Sequence, residues 1–285
     1  MTPTIDMDQQ YLGLLQSLLK HGLRRQDRTG TGTLSRFGVQ YRHHLKNGFP
    51  LLTTKKVHFK SIAEELLWFL RGEDNVRSLQ ARGVTIWNEW ADENGDLGPV
   101  YGKQWRNWIG ADGQSHDQVA ALVDGLKNRP HSRRHMLSAW NVADLPNEGQ
   151  SPQANVAEGK MALAPCHVLY QFYVHDDQLS CMMTQRSADV FLGLPFNIAS
   201  TALLTHILAH EAEITPGEVI HSIGDLHLYL NHIDAAHEQI KREPRSTPTL
   251  SIAPREQRTF DNYSLEDFIL TGYDPHPAIK AKVAV

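Results

Sequence analysis

A chain of 285 residues, 41% hydrophobic and 21% charged, is long enough to bury a continuous core as one domain or at most two. Its formal charge of −4 argues against broad electrostatic attraction to nucleic acid, and two cysteines, Cys166 and Cys181, cannot build a disulfide framework. No apolar run is long enough to cross a bilayer, and the start has no basic region followed by an apolar stretch, so a reduced, cytoplasmic setting is expected.

In chain order, Tyr11, Leu14, Leu15, Leu18 and Leu19 recur at helical spacing and predict a helix over 8–20. Asp27 to Thr33 is a glycine–threonine turn whose amides suit an anion, although it lacks the ending of a P-loop. A strand follows over 34–41. Residues 58–71 predict an amphipathic helix with Phe59, Ile62, Leu66, Phe69 and Leu70 on one face. On that helix Glu64 is expected in solvent beside Lys60, while Glu65 borders the apolar arc. A half-buried carboxylate there can act as acid or base near neutrality, and a plain boundary carboxylate in water fits the spacing equally well. Another helix is expected over 118–127, closed by Asn128 and Pro130.

Ala143 to Lys160 carries Pro146, Gly149, Pro152 and Gly159 among polar residues and reads as a surface loop or mobile insertion. Strands are predicted over 167–174 and 178–185, joined by a turn at 175–177. Two helices end the pattern, over 196–213 and 232–241. Interleaved helices and strands without an internal repeat support α+β or α/β.

From spacing alone Cys166 reads as a buried structural thiol, because a nucleophilic thiol needs a nearby cation or donor. Cys181, inside an alternating strand pattern, has the same reading. Arg28, Arg133, Arg134 and Arg186 each offer a planar fork for a phosphate, although each alone is an ordinary surface charge. His206 and His210 are spaced for one helix face but lack a third ligand, so they read as core or interface residues.

Taken together, an ordered set of segments resembles the bacterial, folate-dependent type of thymidylate synthase. The set includes Asp27-Arg-Thr-Gly-Thr-Gly-Thr33, Glu65-Leu-Leu-Trp-Phe-Leu70, Gly95 to Arg106, Ser132-Arg-Arg134, Ala164-Pro-Cys-His167 and Gln185-Arg-Ser187. It continues with Asp189 to Asn197, Gly224-Asp225, His227 to His232 and Gly272 to Pro277. Two positions depart from the common pattern: Asn88, where many bacterial relatives have Asp, and Ala188, in place of a frequent Cys.

The resemblance implies a single α+β domain over 1–285, with a mixed sheet flanked by helices and a homodimer packed through its sheets. It implies reductive methylation of dUMP to dTMP, with 5,10-methylenetetrahydrofolate giving both carbon and hydride, and neither metal nor nicotinamide. Cys166 would be the nucleophile, with Glu65, Tyr101, His167, Asn197 and Arg186 completing the catalytic set. The nucleotide would meet Arg28, Arg186, Ser187, Ala188, Asp189, Asn197, His227 and Tyr229, helped by Arg133 and Arg134 from the second subunit. The folate would meet His58, Trp87, Asp189 and the tail at Ala284-Val285. Beside these, Lys55, Lys56 and Lys60 read either as charge for a polyglutamate folate tail or as a solvated basic patch.

Overall fold

The computed structural model describes residues 6–254 and 259–283. In chain order these form α1 (Met7–His21), β1 (Leu23–Arg25), β2 (Thr33–His44), α2 (Phe59–Leu70), α3 (Arg77–Ala81) and α4 (Tyr101–Arg106). Next come β3 (Trp108–Ile109), β4 (Ser115–His116), α5 (Gln118–Asn128), β5 (Met136–Ser138), α6 (Pro152–Ala157), β6 (His167–His175) and β7 (Gln178–Asp189). The chain continues with α7 (Gly193–Glu211), β8 (Thr215–Tyr229), α8 (Ile233–Gln239), β9 (Thr249–Ile252) and β10 (Phe268–Thr271).

The main sheet has the order β1-β2-β8-β7-β6-β5, with β7 and β8 parallel and every other neighbouring pair antiparallel. Register explains which face is the core. Tyr41, His221, Met183 and Tyr170 pair across four strands and are all buried. One residue along, Arg42, Ile220, Met182 and Gln171 form a row that remains partly or fully exposed. Period-two alternation therefore gives the sheet one apolar face, onto which the long helix α7 packs against β7 and β8. The fold is a mixed sheet with helices, as expected.

The β6–β7 hairpin turns through Asp176 and Asp177, both with positive φ (47° and 53°), as a two-residue turn matching strand twist requires. β7 runs four residues past the predicted end, so Arg186 to Asp189 lie within the strand. β8, fifteen residues long, replaces what composition left unassigned.

Two local expectations are corrected, and a third, the surface segment at 143–160, is sharpened. Glu64 is buried, not solvent-facing, and pairs with Arg82 at 3.3 Å. Lys55 is buried too: its ammonium donates to the Phe191 carbonyl and sits 3.6 Å from the Phe191 ring. It is therefore unavailable to a polyglutamate tail, and burial, partly opposed by Asp189, lowers its pKa to about 7. Finally, the 143–160 segment is folded: Ser151 caps α6, and Asn155 is buried with its carboxamide bonded to Asn147 and Ser151.

Candidate active site

Cys166 ends the link from α6 to β6, half-buried, where three backbone contacts fix it. Its amide donates to the Tyr101 hydroxyl at 2.8 Å, and the next amide, of His167, reaches the same oxygen at 3.4 Å. On the other side the Arg186 amide donates to the Cys166 carbonyl at 2.9 Å. The Arg186 guanidinium bonds the carbonyls of Pro165 (2.9 Å) and Ala164 (2.8 Å) and lies 5.7 Å from the Trp140 ring. Position and charge are thus supplied together.

The electrostatic balance at the thiol is set by burial, which raises its pKa more than Arg186 lowers it. Tyr101 is pushed well above the phenol range, first by burial and then by Cys166. It remains a neutral hydroxyl whose oxygen accepts two amides.

Glu65 projects from α2 and accepts from the Trp87 indole at 2.7 Å. Burial outweighs that donor and raises its pKa to about 7. Trp87 and Phe69 pack at 6.1 and 4.8 Å from the Tyr101 ring, which joins Glu65 to the Cys166 wall. His167 lies buried 5.5 Å from Tyr101, with Nδ1 3.3 Å from the Tyr170 hydroxyl. Burial lowers its pKa to about 4 against the opposing bond to Asn197, so it is neutral at pH 7.

Asn197 sits in the first turns of α7, where its Oδ1 accepts from Gln185 at 2.9 Å. Gln185 also donates to the Ser187 carbonyl, coupling the carboxamide to β7. Asp189 ends β7 and accepts from the amides of Phe191 and Leu192, so it shapes the turn into α7. The Ala188 methyl is buried in the core, leaving only its backbone for a ligand.

Parallel pairing places His227 beside Asp189, and the His227 and Tyr229 rings meet at 5.2 Å. Burial raises Tyr229 to about 12, Asp189 and Asp27 add to the rise, and Arg28 opposes it. Cys166 contributes as well, so Tyr229 feels both the turn at 27–32 and the thiol. Within the turn Asp27 takes the Thr29 and Gly32 amides at 2.9 and 2.6 Å, with Gly30 and Gly32 at positive φ. Arg28 is thereby presented from a fixed loop.

Arg133 and Arg134 are not part of this cluster. They precede β5, and His135 already bonds Phe172 on β6. At about 3.3 Å per residue the two arginines lie roughly 20 Å along β6 from Cys166, beyond the reach of one side chain. Both are exposed.

On the expected folate side, His58 is exposed at the start of α2, with Nδ1 2.7 Å from the Ser61 hydroxyl. Asn88 is exposed and accepts from Gln80 at 3.0 Å. Ala284 and Val285 fall outside the described residues. The preceding Lys282 carbonyl meets His232 Nε2 at 2.7 Å, and His232 lies 3.9 Å from Asp189. His210 and His206 go separate ways, to the Tyr263 hydroxyl and the Phe49 ring.

Sequence reasoning gave no role to Gln185, Tyr170 or Trp140, which contact Asn197, His167 and Arg186. Gln185 left a signal: alternation along β7 puts this polar residue on the core side, where it needs a partner. A cavity of about 720 Å³ lies apart from the thiol, lined by residues such as Lys103, Trp108, Asn141 and Asp144, with none of the Cys166 cluster in its walls.

The geometry thus links a thiol, a carboxylate of raised pKa, a neutral imidazole and a carboxamide in one contiguous network, with the Arg186 guanidinium beside it. The family model described as thymidylate synthase matches residues 9–285, nearly the whole chain, and the chain belongs to the thymidylate synthase family of methyltransferases.

Proposed function

We propose that this chain converts dUMP to dTMP, taking both the one-carbon unit and the hydride from 5,10-methylenetetrahydrofolate and leaving dihydrofolate. The observation that carries the reading is the setting of Cys166, fixed by Tyr101 and Arg186, with Glu65 acting on Tyr101 and Asn197 bonded to the adjacent His167.

Cys166 sulfur adds to carbon 6 of the uracil, and the ring electrons shift to make carbon 5 nucleophilic. Carbon 5 bonds the folate methylene as its bond to folate N10 breaks, with N10 keeping the electron pair and taking a proton. Loss of the carbon 5 proton to a base expels the folate amine, and hydride from the folate then adds to the exposed methylene as sulfur departs. Glu65, poised near neutrality, and Tyr101 manage these protons with His167. The Asn197 carboxamide accepts through Oδ1 and donates through Nδ2, so it matches the uracil N–H and adjacent carbonyl.

Arg28, Arg186 and Ser187 hold the phosphate, while His227 and Tyr229 hold the sugar hydroxyl. Arg133 and Arg134 serve the site of a second copy, since roughly 20 Å separates them from their own Cys166. The partly exposed outer row of the sheet, with exposed Tyr173 beside it, fits a sheet-to-sheet homodimer. Trp87, His58, Asp189 and the tail meet the folate. Exclusion of water protects the reactive methylene.

The experiment follows dihydrofolate by absorbance with purified protein, dUMP and the folate. Turnover giving methylated, not hydroxymethylated, nucleotide supports the reading. A folded, reduced protein that gives neither dihydrofolate nor dTMP sinks it.

A further inference from the structure

The 143–160 segment is folded, yet nothing in the chemistry above uses it. One of its attachments leads to the site. Gln153 on α6 reaches away from its own helix and donates to the carbonyls of Glu89 and Ala91, at 3.2 and 3.3 Å. These carbonyls flank Trp90, whose ring packs edge-on against Trp87 at 5.7 Å, and Trp87 holds Glu65.

At the base of the segment, Asp144 accepts from Gln104 of α4 at 2.7 Å and from Asn141 at 2.9 Å. The far end docks as tightly: Ala162 donates to the Leu97 carbonyl at 2.8 Å, and Gly98 lies so close to Lys160 that an added Cβ would stand 2.0 Å from its carbonyl. A buried, fully bonded Asn155 keeps the segment rigid between these anchors.

We propose that residues 143–160 are a strap that positions the Trp87–Glu65 wall of the active site, with Gln153 as its positioning residue. The inference rests on the reading of Glu65 and Trp87 given above. Gln153 touches no reacting atom. It restrains the 86–91 loop, so that the indole stays aimed at the carboxylate, while the other end of the strap fixes the approach to Cys166.

The chain enters and leaves the strap at one point, because Met161 donates to the Asp144 carbonyl at 2.9 Å. Residues 146–159 can therefore be replaced by a short Asn-Gly turn. Hydrogen exchange of the Trp87 indole proton, followed by NMR in the unliganded protein, is expected to accelerate about fivefold to tenfold in this variant. That is the scale set by losing one or two exposed hydrogen bonds.

Gln153→Ala is expected to lie between the excised and parent proteins, while Gln153→Arg, which keeps a donor, stays near the parent. In steady-state assays the folate KM should rise about fivefold, with dUMP affinity held within about twofold. The Glu65 limb of the pH–rate profile should move to higher pH, because the indole bond that favours the carboxylate is weakened. Unchanged indole exchange in the excised variant overturns the proposal. So does a loss of dUMP affinity parallel to that for folate. If the parent itself fails to act on dUMP, the site reading fails, and the exchange measurement still decides whether the strap acts on Trp87.

Discussion

The side chain of Cys166 is surrounded by features that hold it and by one that resists its ionisation. Burial raises its pKa, and Arg186 is the opposing charge. Alkylation of the free enzyme should therefore quicken as pH rises above the ordinary thiol range, and Arg186→Ala should slow it at any given pH. Equal rates for parent and variant would show that Arg186 does not favour the thiolate.

Cys166→Ser is expected to cut turnover by roughly 10³-fold or more while dUMP binding survives, since Arg28, Asn197 and Tyr229 remain. Retained activity in that variant would exclude the covalent route. Glu65→Gln is expected to cost about 10²-fold or more in rate and to abolish the pH limb near 7.

Its effect on stability has the opposite sign. A carboxyl whose folded pKa lies above its unfolded value near 4.5 binds its proton more tightly when folded. That contribution is full below about 4.5 and is lost as pH climbs through 7. Glu65→Gln should thus gain on the order of 1 kcal/mol at pH 8, read by denaturant midpoint. At this scale the sequence exposed Glu65 as a boundary residue but hid Glu64, because helical phase cannot anticipate an arginine arriving from 82.

Among the elements, α1 shows how a remote helix supports the site. Asp8 is buried in its first turn and accepts four bonds, from the amides and hydroxyls of Thr53 and Thr54, at 2.8 to 3.1 Å. This pins the segment leading to Lys55 and α2. Asp8→Ala leaves four donors unpaired and is expected to cost about 3 kcal/mol in chemical unfolding, with activity falling only as the folded fraction falls. A loss below about 1 kcal/mol would mean that water replaces the carboxylate.

The strongly periodic helices at 8–20 and 58–71 and the β6–β7 hairpin were legible because one face of each is apolar. β8 was not, although Val219, His221 and Ile223 alternate toward the core. Histidine inside the sheet, satisfied by Tyr41 and Thr201, breaks the apolar pattern that marks a strand. The 143–160 helix was hidden for a different reason. It is six residues long, polar, and depends on the Ser151 cap and on Asn155, which only the folded chain brings to its partners.

For the whole molecule, one chain gathers the thiol, Glu65, His167 and Asn197, yet leaves Arg133 and Arg134 roughly 20 Å along β6 from Cys166. If each copy lends them to the other, protein lacking both arginines and protein bearing Cys166→Ser should each be inactive alone. Mixed and allowed to exchange, they should recover about a quarter of parental activity, since half the dimers are mixed and each mixed dimer has one intact site. No recovery in exchanged dimers would place these arginines outside the partner's site.

The ordered motifs revealed the family from sequence, whereas the distance between these arginines and Cys166 required the sheet register. The most direct test of the covalent reading is the intact mass of the protein quenched during turnover with dUMP and 5,10-methylenetetrahydrofolate. The expected result is a nucleotide–folate adduct mapping to the peptide that contains Cys166. Formation of dTMP with Cys166 unmodified throughout would contradict it.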